Sequence, residues 1–348
     1  MPTITILGAG AMGAAQCRPL VDAGCDVRLW GSRFDDATLD LLETGKAHPR
    51  TGVPVPEEVK LFRPGQIGEC MEGTDVVVMA LLSSAVPRTT RRILKYLGSA
   101  ESVWLTSKGF SQVEDGRVRL MSETLRRVAS ETGSEMPPIV TIAGPVIANE
   151  CATGRPTAPV FACHDISLAQ HYARTCSTPV YVIEPSGDEV GVEVCAPLKN
   201  LYAIALGIAE GLGERDEVSL ANLRAALFVQ ALREMSAFGQ DLGGDEHTAF
   251  GLAGAGDLEV TGRNGRNYQY GLRIGRGATP VQARDEMLKR QQSVEGIVAS
   301  RLALLFAEQL DDGLLDKLPL MKAVGDILIG RVDDYLSVLS EAVLHPVA

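Results

Sequence analysis

The segment Gly8-Ala-Gly10-Ala-Met-Gly13 constrains the fold of this chain more than any other. It follows a short β-branched run, Thr3–Leu7, and opens a helix-competent stretch, 14–23, that Gly24 stops. Glycines at this spacing between a strand and a helix divide their labour. Gly8 permits the tight turn, Gly10 lets backbone approach a pyrophosphate, and Gly13 lets the helix pack against the strand, while the helix start offers free N–H groups to the anion. Ala9, Ala11 and Met12 complete the loop. Asp26–Trp30 has the composition and position of the second strand of a βαβ unit, so the motif sits in the context it requires. Dinucleotide binding is the resulting expectation, against a phosphate-free turn of the same shape.

An NAD site usually ends its second strand in Asp or Glu, about 20 residues beyond the glycines. Here the strand runs into Trp30-Gly-Ser32-Arg33. The Arg33 guanidinium and the Ser32 hydroxyl suit a 2′-phosphate, so the cofactor is NAD or NADP with a lean to NADP. Asp35 and Asp36 stand close enough to compete for that role, and Arg33 as a solvated loop charge is the plain alternative.

Three further apolar runs, 75–80, 102–106 and 139–143, each end in a polar or glycine-containing turn, as strands buried on both faces do. Helical stretches at 85–97 and 117–132 lie between them, so the first half alternates strand and helix like a doubly wound sheet. Ligands of such sheets sit beyond the carboxyl ends of the strands, where 82–84, Ser107-Lys108-Gly109 and Gly144-Pro-Val-Ile-Ala148 fall. After about residue 187 the pattern changes to helices alone, at 190–212, 219–242, 281–289, 296–309 and 321–328. The expectation is an α/β, doubly wound dinucleotide-binding domain over 1–187 and an all-α domain over 188–348.

With 348 residues, 45% of them hydrophobic, the chain has ample material for two cores. No unbroken apolar run approaches the roughly 20 residues of a membrane span, and no basic segment precedes the first strand as in a signal peptide. The net charge of −11 disfavours wholesale binding to nucleic acid or anionic membrane. Seven scattered cysteines, without C-x-x-C spacing, suggest neither a metal site nor a disulfide framework, and a reducing cytoplasm is expected.

Chemistry is expected in the second half. Lys199 and Asn200 interrupt a strongly apolar helix, and burial favours the neutral amine that a general base needs. A lysine snorkelling to water is the alternative. Pro197 removes a helix donor and is expected to bend or break the ladder. Asp257 leaves a glycine-rich turn, 251–256, either to tune Lys199 or to cap the next helix. Arg263, Asn264, Arg266 and Asn267 form a cradle suited to phosphate, or a solvated loop.

Together these residues resemble the soluble NAD(P)-dependent sn-glycerol-3-phosphate dehydrogenases. The matching segments span nearly the whole chain: Gly8-x-Gly10-x-x-Gly13, Ser107-Lys108-Gly109, Gly144-Pro-x-x-Ala148-x-Glu150, Leu198-Lys199-Asn200, Gly251-Leu-Ala-Gly-x-Gly-Asp257-Leu-x-x-Thr261, Arg266-Asn267 and Val294-Glu295-Gly296. The resemblance implies a Rossmann-type domain followed by an all-α domain, an architecture also described as 6-phosphogluconate-dehydrogenase-like. It implies Lys199 as catalytic base and Lys108 as the lysine that meets substrate and nicotinamide, with Asp257 in the catalytic group. Gly144, Asn200, Asp257, Thr261, Arg266 and Asn267 match substrate positions, with Arg266 on the phosphate and also near the cofactor. Ala148 and Glu295 match cofactor-side positions. The implied partner is a small phosphorylated polyol or its ketone, and a homodimer is expected.

The chain departs from the family pattern at Leu82, Val146, Gly265 and Pro197. Those departures keep a different phosphorylated polyol as the alternative substrate. A related hydroxyacid dehydrogenase and a non-catalytic NAD(P)-sensing protein are the other readings weighed.

Overall fold

In the computed structural model, which describes residues 1–112, 116–290, 292–310 and 313–344, the apolar runs of the first half become one sheet. Its strands are β1 (Thr3–Leu7), β2 (Asp26–Trp30), β3 (Lys60–Phe62), β4 (Val76–Met79), β5 (Ser102–Leu105), β8 (Ile139–Ala143), β9 (Val160–Ala162) and β10 (Glu184–Ser186). The intervening β6 (Ser111–Gln112) and β7 (Val118–Arg119) form a separate antiparallel pair.

The sheet order is β10-β9-β8-β5-β4-β1-β2-β3, parallel except where β8 meets β9. Ile4 lies opposite Val27 on one side and Val76 on the other, so β1 is central. Side chains alternate between two buried faces. Ile4, Ile6, Val76 and Val78 pack with the Ala11–Asp22 and Ile166–Cys176 helices around Trp104, Phe161 and Tyr172. Leu7, Val77 and Met79 face Val86, Ile93, Met121 and Leu125 on the opposite side. A sheet covered on both faces favours strands with near-continuous apolar runs, which is the pattern of β4, β5 and β8.

By packing, the chain divides into two units, residues 1–108 with 120–189, and 109–119 with 190–348. A single cut after 187 differs from this division by the β6/β7 excursion, which belongs with the helices. There Phe110 stacks on Phe238 at 5.9 Å and meets Phe306 edge-on at 5.4 Å. The Val118 N–H donates to Gln309 Oε1. This antiparallel pair corrects the expected helix over 117–132, which is Met121–Glu131. Extended pairing of Val118 with Gln112 takes the residues that would have been its first turn. The expected helix over 85–97 is likewise an α-helix at Val86–Ile93 that tightens into a 3₁₀ segment at Leu94–Ser99.

In the second unit the described residues from 190 onward contain helices and no strand. Its axis is Glu189–Arg215, 27 residues that run unbroken through Pro197, so the expected break at that proline does not occur. An interior proline is tolerated where tertiary packing holds the helix, and 18 residues of this one are wholly enclosed. By length and mean hydropathy (1.4) it also passes as a membrane span, although no unbroken apolar run suggested one; burial of that stretch marks it as a core helix.

Candidate active site

In the first unit the parallel strands deliver their C-terminal turns to one edge. β1 ends at Gly8, whose φ of +116° only glycine holds without strain. A Cβ on Gly13 would lie 1.9 Å from the Gly8 carbonyl oxygen, so the helix touches the turn. A Cβ on Gly10 would meet nothing within 4 Å, and Gly10 is the N-cap of the Ala11–Asp22 helix with no side chain capping it. Ala11 and Met12 supply the first turn. Open space over uncapped N–H groups, at the point where the sheet order reverses between β1 and β4, fits a dinucleotide pyrophosphate.

His48, which sequence reasoning missed, holds this loop. It is 2% exposed, and its Nδ1 accepts from the Arg50 and Thr51 N–H groups. Nε2 therefore carries the proton and donates to the Ala9 carbonyl at 3.1 Å. Burial pushes the imidazole below its ordinary value and keeps it in this neutral form. A lone histidine forty residues from the motif gives no sequence signal for such a role.

Ser32 follows β2. Its N–H and hydroxyl both donate to the Asp35 carboxylate, at 2.8 and 2.7 Å, and the Arg33 guanidinium lies 4.9 Å from the Phe34 ring centre. Ser107 follows β5 and accepts from the Leu81 N–H, with the Met79 and Leu81 carbonyls in reach of its own proton. The half-buried Lys108 comes next, its carbonyl accepting from Ser83 Oγ at 2.8 Å. These bonds tie the turns after β4 and β5 together and hold Lys108 at the edge. Gly144 follows β8, and Ala148 begins the short Ala148–Ala152 helix that packs on the dinucleotide helix.

In the second unit the site is set by a helix crossing. Gly207 and Gly211 on the Glu189–Arg215 helix meet Gly271 and Gly275 on the Arg266–Gly275 helix. Added Cβ atoms would lie 2.1 Å from the Tyr268 oxygen, 2.3 Å from that of Leu272, 2.1 Å from that of Ile204 and 2.2 Å from that of Ile208. The two backbones therefore touch, and the start of the second helix lies against the middle of the first. Asn267 Nδ2 donates to Asn200 Oδ1 at 2.9 Å, and Asn267 Oδ1 accepts from the Gly296 N–H at 2.9 Å. The Arg266 guanidinium, at the exposed end of this junction, pairs with Glu295 at 2.9 Å and donates to Ser293 Oγ.

Lys199 and Asp257 form a buried ion pair, the lysine 5% and the aspartate 1% exposed. The snorkelling alternative for Lys199 is thereby excluded. Asp257 does not cap: Gly256 is the N-cap of the Asp257–Asn264 helix, and the carboxylate is directed at the amine. The expected turn before it is one π-helical segment, Leu252–Gly256, a local geometry frequent at functional sites. Thr261 lies one helical turn beyond Asp257 and shares its face. The arrangement offers a buried amine paired with a carboxylate, with an amide pair and a guanidinium on the neighbouring elements. Such a set can move a proton and grip an anion.

Residues 3–169 match the family described as NAD-dependent glycerol-3-phosphate dehydrogenase N-terminus, and residues 188–335 match its C-terminus. Among curated relatives, the chain is 36% identical over 318 residues to the NADP(+)-dependent glycerol-3-phosphate dehydrogenase of Archaeoglobus fulgidus, covering 90% of this chain and 93% of that protein. It is 31% identical over 340 residues to glycerol-3-phosphate dehydrogenase [NAD(P)+] of Shouchella clausii, covering 96% and 94%. Among solved structures, the glycerol-3-phosphate dehydrogenase of Coxiella burnetii superposes with a TM-score of 0.79 at 27% identity, covering 98% of both chains. That of Plasmodium falciparum shares the fold, with a TM-score of 0.84 at 18% identity over 100% and 96% of the two chains.

Proposed function

The chain belongs to the NAD-dependent glycerol-3-phosphate dehydrogenase family, and on that premise we propose that it interconverts sn-glycerol 3-phosphate and dihydroxyacetone phosphate with Lys199 as the proton carrier. As a member of that family it is an NAD(P)-dependent oxidoreductase. The observation that carries the proposed mechanism is the buried Lys199–Asp257 pair, the arrangement expected of a general acid and base positioned by a carboxylate.

When bound, the nicotinamide supplies or accepts the hydride. Gly8 to Gly13 would hold its pyrophosphate, and Ser32 and Arg33 the adenosine ribose. During oxidation Lys199 Nζ takes the proton of the secondary hydroxyl, and during reduction it returns that proton to the carbonyl oxygen. Asp257 holds the amine and compensates its charge while it carries the proton. Asn200, fixed by Asn267, orients the substrate oxygen, and Lys108 stabilises the negative charge that develops on it. Arg266 grips the phosphate, with Thr261 and Gly144 completing the substrate contacts. Ala148 and Glu295 flank the cofactor.

NADP is the favoured cofactor within this reading. The Arg33 guanidinium just beyond β2 supports that lean, while the Asp35 carboxylate, which accepts from Ser32, opposes it. Seven cysteines outside any disulfide support a reducing cytoplasm, and the apolar helical unit supports a homodimer, read out by sedimentation.

The experiment is an initial-rate assay with dihydroxyacetone phosphate, run with NADH and NADPH in parallel. Oxidation of the reduced cofactor supports the reading, and a higher rate with NADPH that Arg33→Ala abolishes supports the cofactor assignment. Protein that binds cofactor but gives no rate with either would refute this substrate and turn attention to another phosphorylated polyol and to the Leu82 and Val146 departures.

A further inference from the structure

Cys25 and Cys176 are far apart in the chain, yet their sulfurs lie 4.0 Å apart in the core of the first unit. Cys25 immediately precedes β2, and Cys176 ends the Ile166–Cys176 helix. Both cysteines are buried, Cys176 fully and Cys25 to within 8%. Thr175 Oγ1 lies 3.7 Å from the Cys176 sulfur. Neither cysteine belongs to the residues assigned to cofactor or substrate. A disulfide needs the sulfurs at about 2.05 Å, a closure within reach of side-chain rotation at two cysteines already in contact.

We propose that Cys25 and Cys176 are a reversible dithiol–disulfide couple, closed by a hydroperoxide and reopened by a thiol reductant. Cys176 is the attacking sulfur. A hydrogen bond from the Cys25 thiol holds Cys176 below the usual thiol range, and the same contact together with burial pushes Cys25 up. With hydrogen peroxide, the Cys176 thiolate attacks one peroxide oxygen; an S–O bond forms, the O–O bond breaks, and the departing hydroxide is protonated to water. The Cys25 sulfur then attacks the Cys176 sulfenic acid. The S–S bond forms, the S–O bond breaks, and the Cys25 proton leaves with the hydroxide as a second water. Two thiols lose two electrons and one peroxide is reduced to two waters. Burial of both sulfurs favours so small an oxidant over a bulky disulfide. The closed bond staples the start of β2 to the Ile166–Cys176 helix across a long loop, so it stiffens the dinucleotide-binding unit without touching the reacting groups.

The test treats the full-length protein with hydrogen peroxide near neutral pH, then counts thiols after unfolding and maps peptides by mass spectrometry. Wild type is expected to fall from seven free thiols to five, with the Cys25 and Cys176 peptides linked and two hydrogens lighter. Its Tm is expected to rise by about 5–10 °C, from the loop-closure effect in a unit of this size, and to return with reductant. Turnover with dihydroxyacetone phosphate should stay within twofold. Cys25→Ala and Cys176→Ser should each form no link and show no reversible rise in Tm. A link between other cysteines, irreversible oxidation of Cys176 without a link, or the same Tm rise in Cys25→Ala would overturn the proposal.

Discussion

Replacing Gly271 by alanine tests whether the glycine crossing builds the substrate half of the site. The added methyl would lie 2.1 Å from the Ile204 carbonyl oxygen, while ordinary Cβ contacts begin near 3.4 Å. The obstacle is backbone and cannot rotate away, so the two helices must part by about 1.3 Å at that level. Overpacking of a core costs ~1–3 kcal/mol, and a rigid neighbour puts this site at the upper end. For a unit of this size that is a fall in Tm of roughly 6–12 °C. The crossing also sets the Asn267–Asn200 contact, and a displacement of about 1 Å beside reacting atoms can lower kcat ~10²-fold. Differential scanning calorimetry and steady-state kinetics read both effects, with Gly65→Ala, whose Cβ meets nothing within 4 Å, as the control. If Gly271→Ala kept the Tm and kcat of the control, the argument that backbone contact positions the site would be wrong.

Other outcomes follow from single contacts. Arg266→Ala should raise the KM for glycerol 3-phosphate at least ~10-fold while changing kcat little, because a phosphate contact serves ground state and transition state alike. His48→Ala removes a buried donor to the glycine loop and should weaken cofactor binding about 10-fold in a fluorescence titration. Because the folded His48 titrates below its ordinary value, the stability it contributes is full above pH 6.5 and is lost as pH falls below it. Glu234 has the opposite sign. It accepts from Tyr202, Gln230 and the Leu320 and Met321 N–H groups, yet burial dominates and pushes its carboxyl up to about 7 from 4.5. The native state therefore keeps a proton that the unfolded chain has released, and stability falls by about 3 kcal/mol as pH rises from 4.5 to 7. Glu234→Gln should flatten that slope in urea titrations taken across the range.

The legible parts of the fold were those whose local pattern and tertiary role coincide. β4, β5 and β8 are apolar at most positions because helices cover both sheet faces, β1 and β2 are marked by their place on either side of the glycine loop, and that loop requires its residue types whatever surrounds it. The edge strands β3 and β10, and β9 beside β10, are three residues each and left no comparable run. β7 was read as the start of a helix, and β6 was not seen, because what holds the pair, Phe238, Phe306 and Gln309, is remote in sequence. At the site, a lysine and an asparagine in an apolar helix stood out by their cost of burial. His48, Glu234 and the four crossing glycines carry no such contrast, because their partners are brought to them only by the fold. The Cys25–Cys176 approach is likewise a product of folding alone.

The central claim is that Lys199 carries the proton. Its most direct measurement is kcat for dihydroxyacetone phosphate reduction by Lys199→Ala against wild type, at saturating reduced cofactor, with the cofactor Kd determined for both. The account predicts a fall in kcat of roughly 10²–10⁴-fold with the Kd unchanged. A kcat within tenfold of wild type in a variant that still binds cofactor would contradict it.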